Sequence, residues 1–392
     1  MNFKVISRNV GSALLVSALF MFISILVSVA GGNDSALAAL LISFILTFST
    51  GIFPFIFVGK APNISLQDGY MIVFLSWILS FIFGMLPYAL WGGQFTVINA
   101  WFESVSGFTT TGATILDDIE ALPNSLLFWR SSTHFIGGLG IVVFLILVIP
   151  SSSPIRSKLT NMELSSLSKD GYKVRANKTV FIFASVYVGI FVLAFLTYLV
   201  GGMSPFDAVN HAMSVCATGG FSTRGESIGY FHSPFISIAT IFFMYVASIH
   251  FGLIFLALVN FTFKPLKSPI LKYYTTVCVI ASVVMTILVK QSAIEQSWGD
   301  AAINGSFHVM SYISTTGFAI ADNASWPMIL NIILLLLGLH CGMAGSTTGG
   351  LKSDRVLVLV KSIHRQVKKS LSPNSVMEVR LGKQILSDDE IY

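Results

Sequence analysis

Three short signatures in this chain place threonine and glycine where backbone oxygens can do chemistry: Thr109-Thr110-Thr111-Gly112, Ala217-Thr218-Gly219, which runs on into Gly220, and Ser314-Thr315-Thr316-Gly317. Counted at Gly112, Gly219 and Gly317, they lie 107 and then 98 residues apart, each between long apolar stretches. A glycine after threonine lets the chain adopt conformations that turn carbonyl oxygens toward a shared axis. A ring of such carbonyls can replace the water shell of a monovalent cation. The candidate ligands are the carbonyls of Thr110, Thr111 and Gly112, of Ala217, Thr218, Gly219 and Gly220, and of Thr315, Thr316 and Gly317. Ordinary loops with helix caps would explain one copy but not the shared spacing, so the repetition points to an ion pathway.

More recurs around the signatures. Ten residues before each counted glycine stand Phe102, Val209 and Phe307, and nine before stand the polar residues Glu103, Asn210 and His308. Acids follow the first and third turns at matching distance, Asp117 and Asp322, with Arg224 in that place after the second. The stretch after each turn carries a histidine followed by glycines: His134 with Gly137, Gly138 and Gly140; His250 with Gly252; His340 with Gly342 and Gly345. Glycine there suits close helix packing in lipid, and the histidines suit polar bridges between helices, with proton or cation binding as the alternative. In the third copy the run Gly342-Met343-Ala344-Gly345-Ser346-Thr347-Thr348-Gly349-Gly350, followed by Lys352, is too rich in Gly, Ser and Thr for a firm helix. It reads as a loop inside the membrane, below the third turn, that blocks or opens the path, with a plain helix kink as the alternative. Its likeness to a phosphate-binding loop is superficial, because the spacing before Lys352 is wrong and no strand precedes it.

Long apolar elements must position these groups. The 392 residues are 54% hydrophobic and only 10% charged, with a mean hydropathy of +0.79, where soluble domains carry about 25% charged residues. The chain is therefore an all-α polytopic membrane protein. About 20 apolar residues span a bilayer, and eight stretches qualify: 10–31, 36–59, 69–91, 124–150, 178–200, 234–262, 270–289 and 326–350. Segments 97–109, 205–216 and 302–314 are too short to cross and predict three re-entrant helices, since non-helical backbone is tolerated at membrane depth only where it lines a path or is buried in protein. With Lys4 and Arg8 inside and one crossing per span, 20 of the 23 Lys and Arg fall on the cytoplasmic side, leaving Arg130, Arg224 and Lys290 toward the outer face. That positive-inside pattern puts both termini in the cytoplasm, and it accounts for the net charge of +5 without nucleic acid. Cys216, Cys278 and Cys341 lie in or beside apolar segments and imply neither a disulfide framework nor a zinc site.

At these residues the chain resembles the Trk-type potassium uptake proteins of the Trk/Ktr/HKT superfamily, through Thr109–Thr114 (TTTGAT), Ala217–Thr223 (ATGGFST) with Ser227–Phe231 (SIGYF), Ser314–Phe318 (STTGF) and Cys341–Lys352 (CGMAGSTTGGLK). The resemblance implies two extra N-terminal spans over 1–62, pore repeats over 63–165, 166–268 and 269–370, and a cytoplasmic tail over 371–392. It implies filter glycines at Gly112, Gly219 and Gly317, potassium preference from Gly112, and a gating loop carried by Gly345, Ser346, Thr347, Thr348, Gly349, Gly350 and Lys352. The family has four repeats, and this sequence carries three, with no counterpart of the basic residue that helps close the pore in the last. The expected function is a potassium uptake permease subunit of a bacterial inner membrane, coupled to the membrane potential and to H+ or Na+. Expected with it are a homodimer, a cytoplasmic nucleotide-binding regulatory subunit on the basic loops 151–178, 264–272 and 352–383, and no cofactor besides transported K+. The alternative is a non-conducting or truncated subunit whose fourth side a partner supplies. A membrane enzyme with His134, His250 or His340 as metal ligands would need clustered acids, which the spans lack.

Overall fold

The computed structural model describes residues 1–59, 65–148, 176–372, 380–381 and 384–385, so most of loop 151–178 and of the tail lies outside the described residues. Helix α1 (Phe3–Ala30) turns back on α2 (Leu37–Phe57). The two approach closely because Gly11 faces Gly51: a methyl group on Gly11 would sit 2.6 Å from the Gly51 carbonyl. Helix α3 (Leu66–Trp91) opens with a capping box between Ser65 and Asp68, and Asp68 also accepts the Asn2 backbone N–H at 2.7 Å. That bond gathers the starts of α1 and α3 at one end of the bundle. At the opposite end Asp34 accepts from Ser28 Oγ at 2.6 Å and from Ser125 Oγ at 2.9 Å, and Trp91 donates to Ser35 Oγ at 3.0 Å.

From that opposite end the first short helix, α4 (Val97–Phe108), enters the protein, followed by α5 (Asn124–Val148). The unit then recurs as α6 (Ala176–Val200), α7 (Pro205–Cys216), α8 (Pro234–Ala247) and α9 (Phe251–Val259). It recurs again as α10 (Pro269–Gln291), α11 (Trp298–Ile313), α12 (Met328–Leu339), β1 (His340–Cys341), β2 (Leu351–Lys352) and α13 (Ser353–Leu371). The short helices start alike, with Thr96, Ser204 and Ser297 accepting the N–H of Asn99, Asp207 and Gly299. Twelve residues of α-helix reach about 18 Å, little more than half of a bilayer core. The third is longer than its sequence suggested, beginning at Trp298 rather than near 302.

Among the described residues five helices are long and apolar enough to cross a membrane, namely those over Phe3–Ala30, Leu37–Phe57, Gln67–Trp91, Phe181–Val200 and Pro269–Gln291. Their outward faces are apolar, with Ile45, Phe53, Leu193, Leu196, Ile280 and Val283 exposed as lipid-facing side chains are. The remaining three expected spans are not straight helices, and each is the stretch that follows a Thr-Gly turn. Gly140 breaks α5 with φ 66° and ψ 151°. The stretch expected at 234–262 bends by 99° between α8 and α9, with His250 capping α9 through Gly252 N–H. The stretch expected at 326–350 ends as a helix at Leu339 and passes into β1, a short strand directly ahead of the glycine-rich run where the sequence predicted none, which pairs in parallel with β2. Glycine and histidine in the middle of these stretches decide the backbone.

Candidate functional site

The three short helices all end in one turn. Thr110 N–H bonds Gly107 O and Thr111 N–H bonds Ser106 O; Thr218 and Gly219 do the same to Val215 O and Ser214 O, and Thr315 and Thr316 to Tyr312 O and Ser311 O, at 2.9–3.1 Å. Each turn holds a non-glycine residue at positive φ, Thr110 (53°), Thr218 (52°) and Thr315 (55°), two residues before a glycine at positive φ, Gly112 (75°), Gly220 (86°) and Gly317 (81°). Three threonines in register thus share one strained backbone geometry.

These angles correct the sequence register by one residue. The counterpart of Gly112 and Gly317 is Gly220, not Gly219, and the residue nine before it is His211, not Asn210. Gly219 occupies the place held by Thr111 and Thr316 in the other turns. It is glycine for a different reason: a β-carbon there would lie 2.3 Å from His134 Nδ1.

The turns meet edge to edge. A β-carbon on Gly112 would fall 1.9 Å from the Gly219 carbonyl oxygen, and one on Gly220 would fall 2.1 Å from the Thr316 carbonyl oxygen. One on Gly317 would meet nothing within 4 Å among the described residues. Instead a cavity of about 290 Å³ borders that side, lined by Thr315, Gly317, His308, Tyr312 and Gly338 among others. Carbonyls from Gly219 and Thr316, at one shared position of the turn, thus seat against the glycine of the preceding turn. Each short helix ends at its own turn, so the partial negative charge of three helix C-termini lies beside these adjoining turns.

Helix α5 holds the first two turns together. Gly137 packs against the Phe108 carbonyl at the end of α4, and Gly138 against Ala217 at the end of α7. Arg130, placed near the outer face by charge counting, is buried: it pairs with buried Glu103 at 2.7 Å, donates to Ser222 O at 3.2 Å and lies 4.0 Å over the Phe221 ring. His134 stacks on the same ring at 4.0 Å, accepts Phe221 N–H at 3.4 Å and sits 3.1 Å from Ser214 Oγ. His340 reaches Tyr273 OH at 3.2 Å. All three histidines of the sequence pattern therefore serve as bridges or caps, and among the described residues no three His, Cys, Asp or Glu gather as a metal site. At the first turn of α7, Asp207 accepts from Thr223 Oγ1 at 2.6 Å and from Arg224 at 3.0 Å. Burial pushes its carboxyl up, but the bonds from Thr223, Arg224 and Ser204 outweigh burial and hold it below the ordinary carboxylate range.

The glycine-rich run joins this frame from the other side. Met343 N–H bonds Ser248 O at 2.9 Å, Phe251 N–H bonds Gly345 O at 3.0 Å, and Thr347 Oγ1 donates to Ala247 O at 3.3 Å, all at the bend between α8 and α9. Lys352 donates to Thr348 O, and Ser346 Oγ lies 2.9 Å from Thr348 Oγ1. Gly349 N–H donates to Thr315 Oγ1 at 3.0 Å, so the run touches the third turn directly. Sequence placed the loop below that turn; the contact itself had no sequence signal, and neither did Phe221.

A family model described as a cation transport protein, TrkH, matches residues 37–276 and 269–392. The Trk system potassium uptake protein TrkH of Halomonas elongata is 30% identical over 99% of this chain and 81% of its own length. The Trk system potassium uptake protein TrkG of Escherichia coli is 32% identical over 91% of this chain and 74% of its own length. Among solved structures, the crystal structure of the potassium transporter TrkH from Vibrio parahaemolyticus superposes with a TM-score of 0.87 at 28% identity, covering 100% of this chain and 82% of that one.

Proposed function

The chain belongs to the TrkH family of cation transport proteins, multi-pass membrane transporters rather than enzymes, and from that premise we propose that it conducts K+ inward as a potassium uptake permease subunit. The filter is built from the carbonyls of Thr110, Thr111 and Gly112, of Ala217, Thr218, Gly219 and Gly220, and of Thr315, Thr316 and Gly317. The single observation that carries this reading is the shared turn, with threonine and glycine at positive φ in all three copies and each of two glycines seated on a neighbouring carbonyl. Membrane potential supplies about 2.3 kcal/mol per charge per 100 mV, with H+ or Na+ coupling added to it. The run Gly345–Gly350 with Lys352 gates the path, its hold on Thr315 reporting directly to the filter. The chain works in the bacterial inner membrane with cytoplasmic termini, as a homodimer. A cytoplasmic nucleotide-binding subunit docks on its basic segments, of which 264–272 and the start of 352–383 are described. The test is K+ and Na+ flux in proteoliposomes with Gly112→Ser, whose β-carbon must displace Gly219 O. Loss of K+ preference is expected; unchanged preference in an active preparation would sink the filter assignment.

A second reading, a subunit whose fourth side comes from a partner, is favoured by one observation: a β-carbon on Gly317 would meet nothing within 4 Å among the described residues, where those on Gly112 and Gly220 would meet carbonyls. Selective K+ flux by the chain alone would exclude it.

A further inference from the structure

Each turn sends a return limb away from its glycine, and one side chain from the short helix ties that limb back. It comes each time from the residue nine before the positive-φ glycine: Glu103, His211 and His308. Glu103 accepts Thr114 Oγ1 at 3.0 and 3.1 Å on its two oxygens and Ile115 N–H at 3.4 Å. His211 Nε2 lies 2.8 Å from Ser222 Oγ, and His308 Nε2 lies 3.3 Å from Ala321 O. The His211 ring is steadied at Nδ1 by Asp207 O at 2.7 Å, which leaves Nε2 to accept from Ser222. His308 faces a carbonyl at each ring nitrogen, Asn304 O lying 3.0 Å from Nδ1, and a neutral ring donates to one of the two.

Only the first tie is ionic, and it alone spans two turns. Arg130 Nε and Nη2 both reach Glu103 Oε1 at 2.7 Å, while Nη1 donates to Ser222 O and the guanidinium covers Phe221, the two residues that follow Gly220. Glu103 is 0% and Arg130 1% exposed. With both its oxygens taken by Thr114, Ile115 and Arg130, Glu103 has no lone pair arranged for a passing ion and acts as a strut. A buried ion pair is a poor source of stability compared with an apolar pair of the same volume. A rigid planar fork, by contrast, fixes direction at several acceptors at once.

We propose that Glu103 and Arg130 are positioning residues for ion selection, a strut that sets the first turn against the second. The proposal rests on the filter reading above. Fixing Thr114 and Ser222, each two residues past its glycine, holds the spacing of the seam at which Gly112 meets Gly219 O.

The experiment uses the purified full-length chain with two readouts: K+ over Na+ flux in proteoliposomes, and the difference in melting temperature between K+ and Na+ in detergent, which does not require conduction. Thr114→Val removes the hydroxyl that binds Glu103 with little change of volume, Thr114→Ser restores it, and Arg130→Lys keeps charge but loses the fork. Discrimination between K+ and Na+ is expected to fall about tenfold in Thr114→Val, the equivalent of one hydrogen bond to a charged group, and to return in Thr114→Ser. Arg130→Lys is expected to lose more. If Arg130→Lys does not fold, the Thr114 pair decides. Undiminished discrimination in folded Thr114→Val overturns the strut. Gly112→Ser runs alongside: if it alters selectivity and Thr114→Val does not, only the strut fails, and if neither does, the filter reading fails with it.

Discussion

The seams on either side of the third turn differ sharply. Where Gly220 meets Thr316 O there is no room for a methyl group, with 2.1 Å between the oxygen and a built β-carbon. On the far side Gly317 has the same backbone angle and the same sequence signature, yet meets nothing within 4 Å among the described residues. Glycine is thus required twice over at Gly112 and Gly220, by conformation and by space, but only by conformation at Gly317. The turn is a local property of the Thr-Gly signature. The seam between turns is a tertiary property of which turn comes next.

Substitutions at the three glycines should separate the two requirements. Gly112→Ser and Gly220→Ala should be the most damaging, since backbone carbonyls, not flexible side-chain ends, stand in the way; selective flux should be abolished in both. Gly317→Ala should suffer only the left-handed backbone penalty, about 1–2 kcal/mol, and keep part of its transport. Equal loss at all three positions would mean that Gly317 is enclosed in the working assembly, as the reading with a fourth side supplied by a partner requires. Flux and melting curves for the three variants, measured together, make the comparison.

Gly219 offers an intermediate case, because its space is filled by a side chain. The Gly219→Ala β-carbon would press on the His134 ring at 2.3 Å, and Gly219 is not among the residues at positive φ. Steric pressure is then its whole defect. Transport should fall in Gly219→Ala and recover in part when His134→Ala is added, whereas no such second site exists for Gly220→Ala. A double variant no better than Gly219→Ala would place the constraint in the backbone instead.

Much of this was legible beforehand, and the exceptions have physical causes. Period and apolar length located the short helices 97–108 and 205–216 almost to the residue, because Thr96 and Ser204 are capping residues and Gly and Thr end both helices. The register of the second turn was not legible. Two adjacent glycines, Gly219 and Gly220, fit the pattern equally, and only the folded backbone decides between them: Gly220 is at positive φ, whereas Gly219 is not and packs on His134. Arg130 was read as an outer-face charge because counting assigns a residue to a side and not to a partner; its partner Glu103 lies 27 residues away across a turn. The break in the stretch after the third turn was legible from its glycine-rich run, whereas those after the first two turns carried glycine and histidine in plain view and were missed because hydropathy averages over such positions. That His340–Cys341 pairs with Leu351–Lys352 depends on a loop conformation to which composition is blind.

The outer frames of the first two turns give the smallest expected effect and a distinct signature. Glu103 in the first is sealed from solvent, whereas Asp207 in the second bonds Arg224, whose side chain is 29% exposed. Asp207 is held below the ordinary carboxylate range because its bonds from Thr223, Arg224 and Ser204 outweigh burial. A carboxylate whose value is lower folded than unfolded stabilises the protein above its unfolded value of about 3.9, and that contribution disappears as pH falls through the folded value. The wild-type melting temperature should therefore exceed that of Asp207→Asn near neutrality, and the gap should close from about pH 4 downward. Thr223→Val should narrow the gap at neutral pH without removing it, since Arg224 still binds the other oxygen, Oδ2. A gap that stayed constant down to pH 3 would show that Asp207 acts through packing alone, and the second turn would then be framed by shape where the first is framed by charge.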